Sequence, residues 1–309
     1  MITIAVFFDF SKAFDSVVHK ILIFKLKAIG FGDLAVLTRD WFTATIDWIV
    51  SYLKDRLQAI RIDNSGISDW KEISSGVPQG SVLGPLLYSI YITDLGVLLK
   101  HLFYADDLVV YLTCKPCDIE SSVRILNEEI AIILKWCIIN GLKLNPNKTK
   151  AVIFGSAQKL ADVQCEVIPN IVVNDTIVDY CKSVNYRGVI LQDTLIWSLQ
   201  ITEVCKSSMR VLAQLKMNGD VFSLFVRERL VTTLIYPIFD YCAAIYTDIT
   251  GQQQIRLQRK LNACVRYIFK ISKYEHVTQY YTELRWLKLS SRRKFFLSCL
   301  IYKALYLNQ

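Results

Sequence analysis

Three aspartates lie in unusually apolar surroundings. Asp9 follows a β-branched and aromatic run at 2–8, and Asp106 and Asp107 separate two short apolar runs. Ionised carboxylates in such settings cost free energy unless hydrogen bonds or cations compensate them. Carboxylates are also the ligands that Mg²⁺ prefers, and three of them can hold two ions roughly 4 Å apart, which activates a hydroxyl and stabilises a phosphate leaving group. The alternative is an exposed hairpin turn, where Asp is common.

Two other groups of residues could bind ligands. The loop 76–81, Gly-Val-Pro-Gln-Gly-Ser, precedes an apolar helical stretch, and its small residues would let a ligand approach the backbone. Cys114 and Cys117 form a lone CxxC without a second pair or a nearby His, so ordinary loop cysteines are the alternative to a zinc site. Nine Cys in all, an odd number without a framework, favour reduced thiols.

Hydrophobic periodicity predicts an α+β first part and an all-helical second part. The expected strands are 2–10, 58–62, 70–73, 101–104, 108–112, 150–154, 171–173 and 186–191. The expected helices are 16–29, capped by Ser16 and ended by Gly30, then 40–53, one ending near Leu95, one capped by Asp118, 199–215, 221–236, 252–271 and 283–307. A boundary near residue 192 follows, with domains 1–192 and 193–309.

Composition and charge limit the class of protein. The chain has 309 residues, 53% of them hydrophobic and 21% charged, which excludes disordered and fibrous proteins. We find no uninterrupted apolar run of membrane-spanning length and no signal peptide, so we expect a soluble intracellular protein that does not enter membranes. Residues 1–194 carry a net charge of −2, whereas residues 195–309 carry +10. The second part is therefore expected to face a polyanion, with solubility as the alternative.

Four segments together resemble a known family. The segment 8–17, Phe-Asp-Phe-Ser-Lys-Ala-Phe-Asp-Ser-Val, is similar to motif A of reverse transcriptases, most of all those of jockey-like, LINE-type retrotransposons. The loop 76–81 with its continuation to Leu87 resembles motif B, 103–107 (Phe-Tyr-Ala-Asp-Asp) resembles motif C, and 141–150 resembles motif D. The order is that of the family, over about 190 residues. The resemblance implies a polymerase palm, which is a small antiparallel sheet with packed helices, followed by a helical thumb.

The resemblance also implies roles for individual residues. Asp9 and Asp106 would ligate two Mg²⁺ ions, or Mn²⁺, with Asp107 and the Phe10 carbonyl in support. Phe14 would exclude a ribose 2′-OH, although a core Phe is the alternative. Lys148 would protonate or neutralise pyrophosphate, with a solvated turn lysine as the alternative. Gln79 and Gly80 would line the nucleotide pocket. The residues expected to contact nucleic acid are Tyr186, Gly188, Arg256, Arg259, Lys260, Arg292 and Arg293.

The implied activity is RNA-directed DNA synthesis in the nucleus and cytoplasm. Its partners would be an RNA template, a DNA primer, their duplex and deoxynucleoside triphosphates. The chain begins eight residues before Asp9, so we expect the fingers region to be largely missing and synthesis by this chain to be weak or absent. Gln192, Gln200 and Arg187 depart from the family pattern. A non-catalytic nucleic-acid-binding remnant and a maturase-like or telomere-type enzyme are the alternatives.

Overall fold

The computed structural model describes residues 1–29, 39–62, 66–164, 168–217, 221–246 and 248–307, without the side chains of 39–44, 62 and 164. Helices and strands both occur, as the α+β prediction requires. The chain forms two compact units, Met1–Lys182 and Ser183–Gln309. This division lies before residue 192 because the last hairpin, Ser183–Gln192, packs on the first helix of the second unit.

The first unit contains ten strands and five helices in its described part. The strands are β1 Ile2–Phe8, β2 Leu57–Gln58, β3 Arg61–Ile62, β4 Gly66–Ile67, β5 Lys71–Glu72, β6 Lys100–Tyr104, β7 Asp107–Cys114, β8 Lys150–Phe154, β9 Ile171–Val173 and β10 Thr176–Val178. The helices are α1 His19–Ala28, α2 Arg39–Leu53, α3 Leu83–Tyr91, α4 Ile119–Ile139 and α5 Ala157–Gln164. The sequence predicted most of these elements, apart from their ends.

A four-stranded antiparallel sheet forms the centre of the first unit, in the order β6-β7-β1-β8. The central strand β1 is apolar on both faces, since five of its seven residues are buried. Helix α4 places an apolar stripe of Val123, Leu126, Ile130 and Ile133 in the same core as Ile4 and Val6. Burial of this stripe fixes the sheet and therefore the loops at its ends.

Ser16 and Asp118 of the first unit were both predicted to cap helices, and only Asp118 occupies the N-cap position. The prediction that Ser16 caps α1 is wrong: Ser16 ends a one-turn 3₁₀ helix at Phe14–Ser16, and α1 begins at His19 after Val18, which makes no side-chain cap. The expected stop at Gly30 lies outside the described residues. Asp118 is the N-cap residue of α4, but its side chain makes no capping hydrogen bond. Its backbone carbonyl instead accepts hydrogen bonds from the Ser121 and Ser122 hydroxyls.

The second unit begins with a hairpin and continues as helices. Its strands are β11 Ser183–Tyr186 and β12 Val189–Gln192, and its helices are α6 Ser198–Met217, α7 Leu224–Leu234, α8 Tyr236–Asp240, α9 Gly251–Phe269, α10 Thr278–Glu283 and α11 Leu289–Tyr306. The single strand expected at 186–191 is thus a two-stranded hairpin. Thr250 and Gln253 form a capping box at the start of α9, which has buried Leu257, Leu261 and Cys264 on one face.

Two departures from the family pattern are accommodated at the start of α6. The Oε1 of Gln192 accepts hydrogen bonds from the Leu199 N–H and the Ser198 hydroxyl, and so caps the helix. The buried Gln200 accepts the Ile190 N–H through its Oε1 at 2.9 Å. Both glutamines therefore fix the hairpin to α6. None of the helices within the described residues is long and apolar enough to cross a membrane.

Candidate active site

Asp9 lies where β1 ends, and the backbone around it is held on one side. The Asp9 carbonyl accepts the Asn145 N–H, and the Lys143 carbonyl accepts the Ser11 N–H, both at 2.8 Å. Phe10 and Leu144 are the bridge pair between these two bonds. Backbone groups alternate in direction along an antiparallel pair, so the Phe10 carbonyl points away from Leu144 and toward the side of β1 on which β7 lies.

The hairpin of β6 and β7 carries the other two aspartates to the same end of the sheet. Phe8 pairs with Leu108, and continuing this register by one residue sets Asp9 opposite Asp107. Tyr104 pairs with Asp107 across a two-residue turn of Ala105 and Asp106. Ala105 has φ +53°, a left-handed conformation that costs a residue with a Cβ about 1 kcal/mol or more. The tight turn therefore exposes Asp106 at the tip, while Asp107 is half-buried.

Lys148 lies beside Asp9 because the segment after Leu144 turns back. The Asn145 carbonyl accepts the N–H groups of Lys148 and Thr149, which closes the turn. Lys148 Nζ is 3.8 Å from Asp9 Oδ2, and both side chains are substantially exposed. An exposed pair at this distance contributes little stability. The lysine is therefore available to another anion that approaches Asp9.

The donor atoms at this end of the sheet suit a hard divalent cation in kind. Three carboxylates and the Phe10 carbonyl on the β7 side of β1 are all oxygen ligands. Within the described residues, however, no three His, Cys, Asp or Glu side chains form a group that could hold a metal ion. The backbone thus brings Asp9, Asp106 and Asp107 to one place, but their carboxylates do not converge into a formed site.

Phe14 contacts a tyrosine that links it to the aspartates. Its ring stacks on Tyr88 of α3, with 4.6 Å between ring centroids. Tyr88 is fully buried, and its hydroxyl has no hydrogen-bond partner in the part of the chain that the structure describes. Burial raises the pKa of the Tyr88 phenol, and the negative charge of Asp106 raises it further. Tyr88 therefore contacts Phe14 and is near enough to Asp106 for the charge of that carboxylate to affect its pKa.

The motif B loop packs directly on the segment that follows Asp9. The Gln79 amide donates to the Asp15 carboxylate at 2.9 Å, and the Phe14 carbonyl accepts the Val77 N–H. Gly76 has φ +91°, and a Cβ there would meet the Asp15 Cα at 2.8 Å. Gln79 lines a cavity of about 720 Å³. The other described lining residues include Lys12, Asp15, His19, Arg56 and Glu72. Gly80 has φ +79° with open space around it.

In the second unit, Tyr186 and Gly188 belong to the β11–β12 turn. Arg187 and Gly188 both have positive φ, which gives the twist that two-residue hairpins prefer. The Tyr241 hydroxyl donates to the Arg187 carbonyl at 2.6 Å, and the Tyr241 ring lies against Gly188. A residue with a Cβ at 188 would crowd that ring. The turn is thus a rigid part of the second unit.

The basic residues predicted on α9 do not share one environment. Arg256 donates to the Thr202 hydroxyl of α6 at 3.0 Å. Lys260 and Arg256 are both near enough to Cys205 to oppose the rise in its pKa that burial causes. Arg259, by contrast, lines a cavity between α7 and α9. The three cations therefore lie on at least two different faces of α9.

The two arginines at the start of α11 are engaged within their own unit. Arg292 forms a two-pronged ion pair with Asp240, at 2.6 and 2.5 Å, and lies over the rings of Tyr236 and Phe296. Arg293 is buried, and burial lowers the pKa of its guanidinium. These contacts give both residues a packing role. We therefore leave them out of the nucleic-acid contacts proposed below.

Comparison with known proteins identifies the family to which this arrangement belongs. A family model for reverse transcriptase (RNA-dependent DNA polymerase) matches residues 1–191, more than half of the chain. The chain belongs to the reverse transcriptase family. The matched region contains Asp9, Asp106, Asp107 and Lys148. The resemblance found in the four motifs is thereby confirmed.

The relatives of this reverse transcriptase region come from mobile elements. The chain is 29% identical over 296 residues to a probable RNA-directed DNA polymerase from transposon BS of Drosophila melanogaster, covering 91% of this chain and 30% of that protein. It is 28% identical to the RNA-directed DNA polymerase from mobile element jockey of Drosophila funebris, covering 83% and 27%. The likeness to jockey-like, LINE-type enzymes is confirmed. The chain spans under a third of the length of these relatives.

Among solved structures, a Candida albicans telomerase in complex with a fragment of telomeric RNA matches with a TM-score of 0.44 and 12% identity, covering 93% of this chain and 51% of that one. An apo telomerase from Candida tropicalis matches with a TM-score of 0.43 and 14% identity, covering 99% and 50%.

Sequence reasoning missed several residues whose contacts hold the elements around the candidate site. Tyr88 occupies an apolar position of an apolar helix, so its type alone suggests only a core residue. Asp15 belongs to motif A but has no conspicuous spacing, and its role as the partner of Gln79 appears only in the fold. Lys25 is a further example, since it is buried against Asp94 at 2.6 Å and fixes α1 to α3.

Proposed function

We propose that this chain carries the polymerase centre of a mobile-element reverse transcriptase and takes part in RNA-directed DNA synthesis. The observation that supports this most is the meeting of Asp9, the Asp106–Asp107 turn and Lys148 at one end of a single sheet, inside the region that matches the family. The reaction joins a deoxynucleotide to a primer 3′-OH and releases pyrophosphate. We assign the palm to residues 1–192 and the thumb to 193–309.

In this proposal the acidic residues hold divalent cations. Asp9 and Asp106 would ligate two Mg²⁺ ions, or Mn²⁺, with Asp107 and the Phe10 carbonyl in support. When bound, the ions would neutralise charge on the phosphates. The carboxylates must turn toward each other to do so, because within the described residues they form no three-ligand group. Asp106 is exposed at the tip of its turn, which leaves its side chain room to rotate.

The remaining residues bind and orient the substrates. Lys148 would place its ammonium beside the pyrophosphate, for which its position next to Asp9 is suitable. Phe14, braced by Tyr88, would lie against the sugar, and Gln79 with Gly80 would line the nucleotide pocket. Tyr186, Gly188, Arg256, Arg259 and Lys260 would contact the duplex of RNA template and DNA primer. The place of action would be the nucleus and cytoplasm.

A second candidate function is nucleic-acid binding without synthesis. It is favoured by the net charge of +10 on residues 195–309, together with carboxylates that do not converge. Such a protein would bind duplexes through phosphates, without regard to sequence. It would leave a primer unextended under all conditions.

Primer extension combined with duplex binding separates the two functions. The chain is incubated with an RNA template, a DNA primer, deoxynucleotides and Mg²⁺, and its affinity for the same duplex is measured over a range of salt concentrations. We expect salt-sensitive binding with little extension by the chain alone, and more extension when an upstream segment from a jockey-like relative is added. Binding without extension in both forms would favour the second function.

A further inference from the structure

A basic cavity of about 930 Å³ lies within the second unit, away from the predicted hairpin contacts. It is formed by the end of α6, by α7, and by α9 with the loop that follows. Six cationic residues line it, and none of its described lining residues is acidic. The six are Lys216, Arg227, Arg259, Arg266, Lys270 and Lys273. A cavity of this size is large enough for a ligand with several charged groups.

Arg227 is the most informative of the six. It is only 6% exposed, and one of its guanidinium nitrogens donates to the Tyr267 carbonyl at 3.3 Å. Its Nε is buried without a hydrogen-bond partner among the described residues. A buried charged donor left unpaired costs free energy. An anion that entered the cavity would supply the missing acceptor.

The other cations are held in place around this buried arginine. Arg266 donates to the Ser272 and Glu275 backbone carbonyls, which are neutral acceptors. Lys270 ends α9 in a left-handed conformation, with φ +55°, and this turn brings the loop with Lys273 to the cavity. Asn262 accepts two hydrogen bonds through its Oδ1, so its amide nitrogen is the group oriented to donate.

We propose that this cavity binds consecutive phosphates of a nucleic-acid strand, with Arg227 at its floor. Guanidinium groups match phosphate oxygens in geometry, and flexible lysines at the rim follow a backbone of varying shape. The inference rests on the proposed association with nucleic acid. It assigns the phosphate contact of Arg259 to this cavity, which Arg256 and Lys260 do not line.

The test uses the full chain and two matched double variants. Arg259→Gln with Lys273→Gln removes two exposed rim charges. Arg229→Gln with Lys303→Gln removes two exposed charges outside the cavity and serves as the control. Arg227→Lys, which keeps the charge but removes Nε, is added once its thermal unfolding shows that it folds. Binding of labelled RNA–DNA duplex and of tripolyphosphate is measured for each.

We expect the rim variant to bind duplex about tenfold more weakly than the control, with a salt dependence less steep by about one to two ion equivalents. Tripolyphosphate should bind the wild type and compete with the duplex. Equal duplex affinity in the rim variant and the control would overturn the inference. Tripolyphosphate binding that duplex does not displace would also overturn it, because the site would then take free polyphosphate.

The same samples separate this inference from the proposed synthesis. A wild type that extends primers while the rim variant binds like the control leaves the synthesis intact and overturns only the cavity assignment. A wild type that binds strands through the cavity but extends no primer, even with the upstream segment of a jockey-like relative, supports the cavity and contradicts the synthesis.

Discussion

At the scale of single residues, the contact between Phe14 and Tyr88 holds the Phe14 ring in place. A half-buried aromatic ring would move if nothing braced it, but Tyr88 is fully buried behind it and the rings are stacked. The charge of Asp106 also acts on the Tyr88 phenol and raises its pKa, so Tyr88 interacts with both Phe14 and Asp106. Packing of Phe14 in the core is therefore compatible with the proposed role in sugar selection.

Phe14→Val tests the selective role. The smaller side chain should open space next to the sugar and raise the use of ribonucleotides relative to deoxyribonucleotides by about tenfold or more. The ratio of the two incorporation efficiencies is the measurement, made in the most active form of the chain. Tyr88→Phe is the control, since it keeps the stacked ring and removes only the unpaired hydroxyl. An unchanged ratio in Phe14→Val would assign Phe14 to the core alone.

At the scale of elements, the site depends on short turns that join the sheet to its neighbours. The sequence predicted the strands and helices well because their apolar periodicity is strong. It misplaced the start of α1 because a backbone 3₁₀ turn, and not the Ser16 side chain, precedes that helix. It could not show that Gly76 approaches the Asp15 backbone, since such a contact depends on the tertiary fold.

Gly76→Ala and Gly80→Ala form a matched pair that tests this packing. Both glycines have positive φ, so alanine at either position should cost about 1 kcal/mol of unfolding free energy. Only at Gly76 would the new Cβ meet backbone, so Gly76→Ala should cost about 2 kcal/mol or more. Urea unfolding measures both. Equal losses at the two positions would contradict the close approach of the two motif segments.

At the scale of the whole molecule, the described residues form two separate hydrophobic cores, one in each unit. Asp9 and the Asp106–Asp107 turn stand out in the sequence because carboxylates are unusual in apolar surroundings, whereas Lys148 is singled out only by the resemblance of 141–150 to motif D. The burial of Arg227 was not predictable, since a single arginine in an amphipathic helix suggests a side chain on the solvent-exposed face. Its burial follows from the packing of α7 on α9, which no local pattern encodes.

Both cores bury cysteine thiols and tyrosine phenols. Because burial opposes their ionisation, we expect the folded state to lose stability at high pH. Burial raises the pKa of Cys137 and of Cys264 to about 12, and that of Tyr180 and Tyr246 to about 12 as well. A raised pKa in the folded state means that the stabilisation is complete below the unfolded-state pKa, 9.0 for a thiol and 10.0 for a phenol. It is lost as the pH rises from there towards 12.

Thermal unfolding at pH 8 and at about pH 10.5 measures this loss. The midpoint should fall at the higher pH, and it should fall less in Cys137→Ala than in the wild type. Cys117→Ala is the control, because that thiol is exposed. The comparison between variants also removes the opposing effect of Lys25, whose pKa is lowered by burial. An identical fall in all three proteins would contradict a buried thiol at 137.

The central claim is that Asp9 and the Asp106–Asp107 turn form a centre for nucleotide addition, and primer extension by Asp106→Asn tests it most directly. The substitution keeps the size of the side chain and removes its charge. Wild type and variant are compared on the same RNA template, each with the upstream segment of a jockey-like relative, and duplex affinity is measured in parallel. We predict a loss of extension of more than about 100-fold, because even partners of metal ligands cost 10–100-fold when changed, with duplex affinity nearly unaltered. Extension that survives in Asp106→Asn would contradict the account.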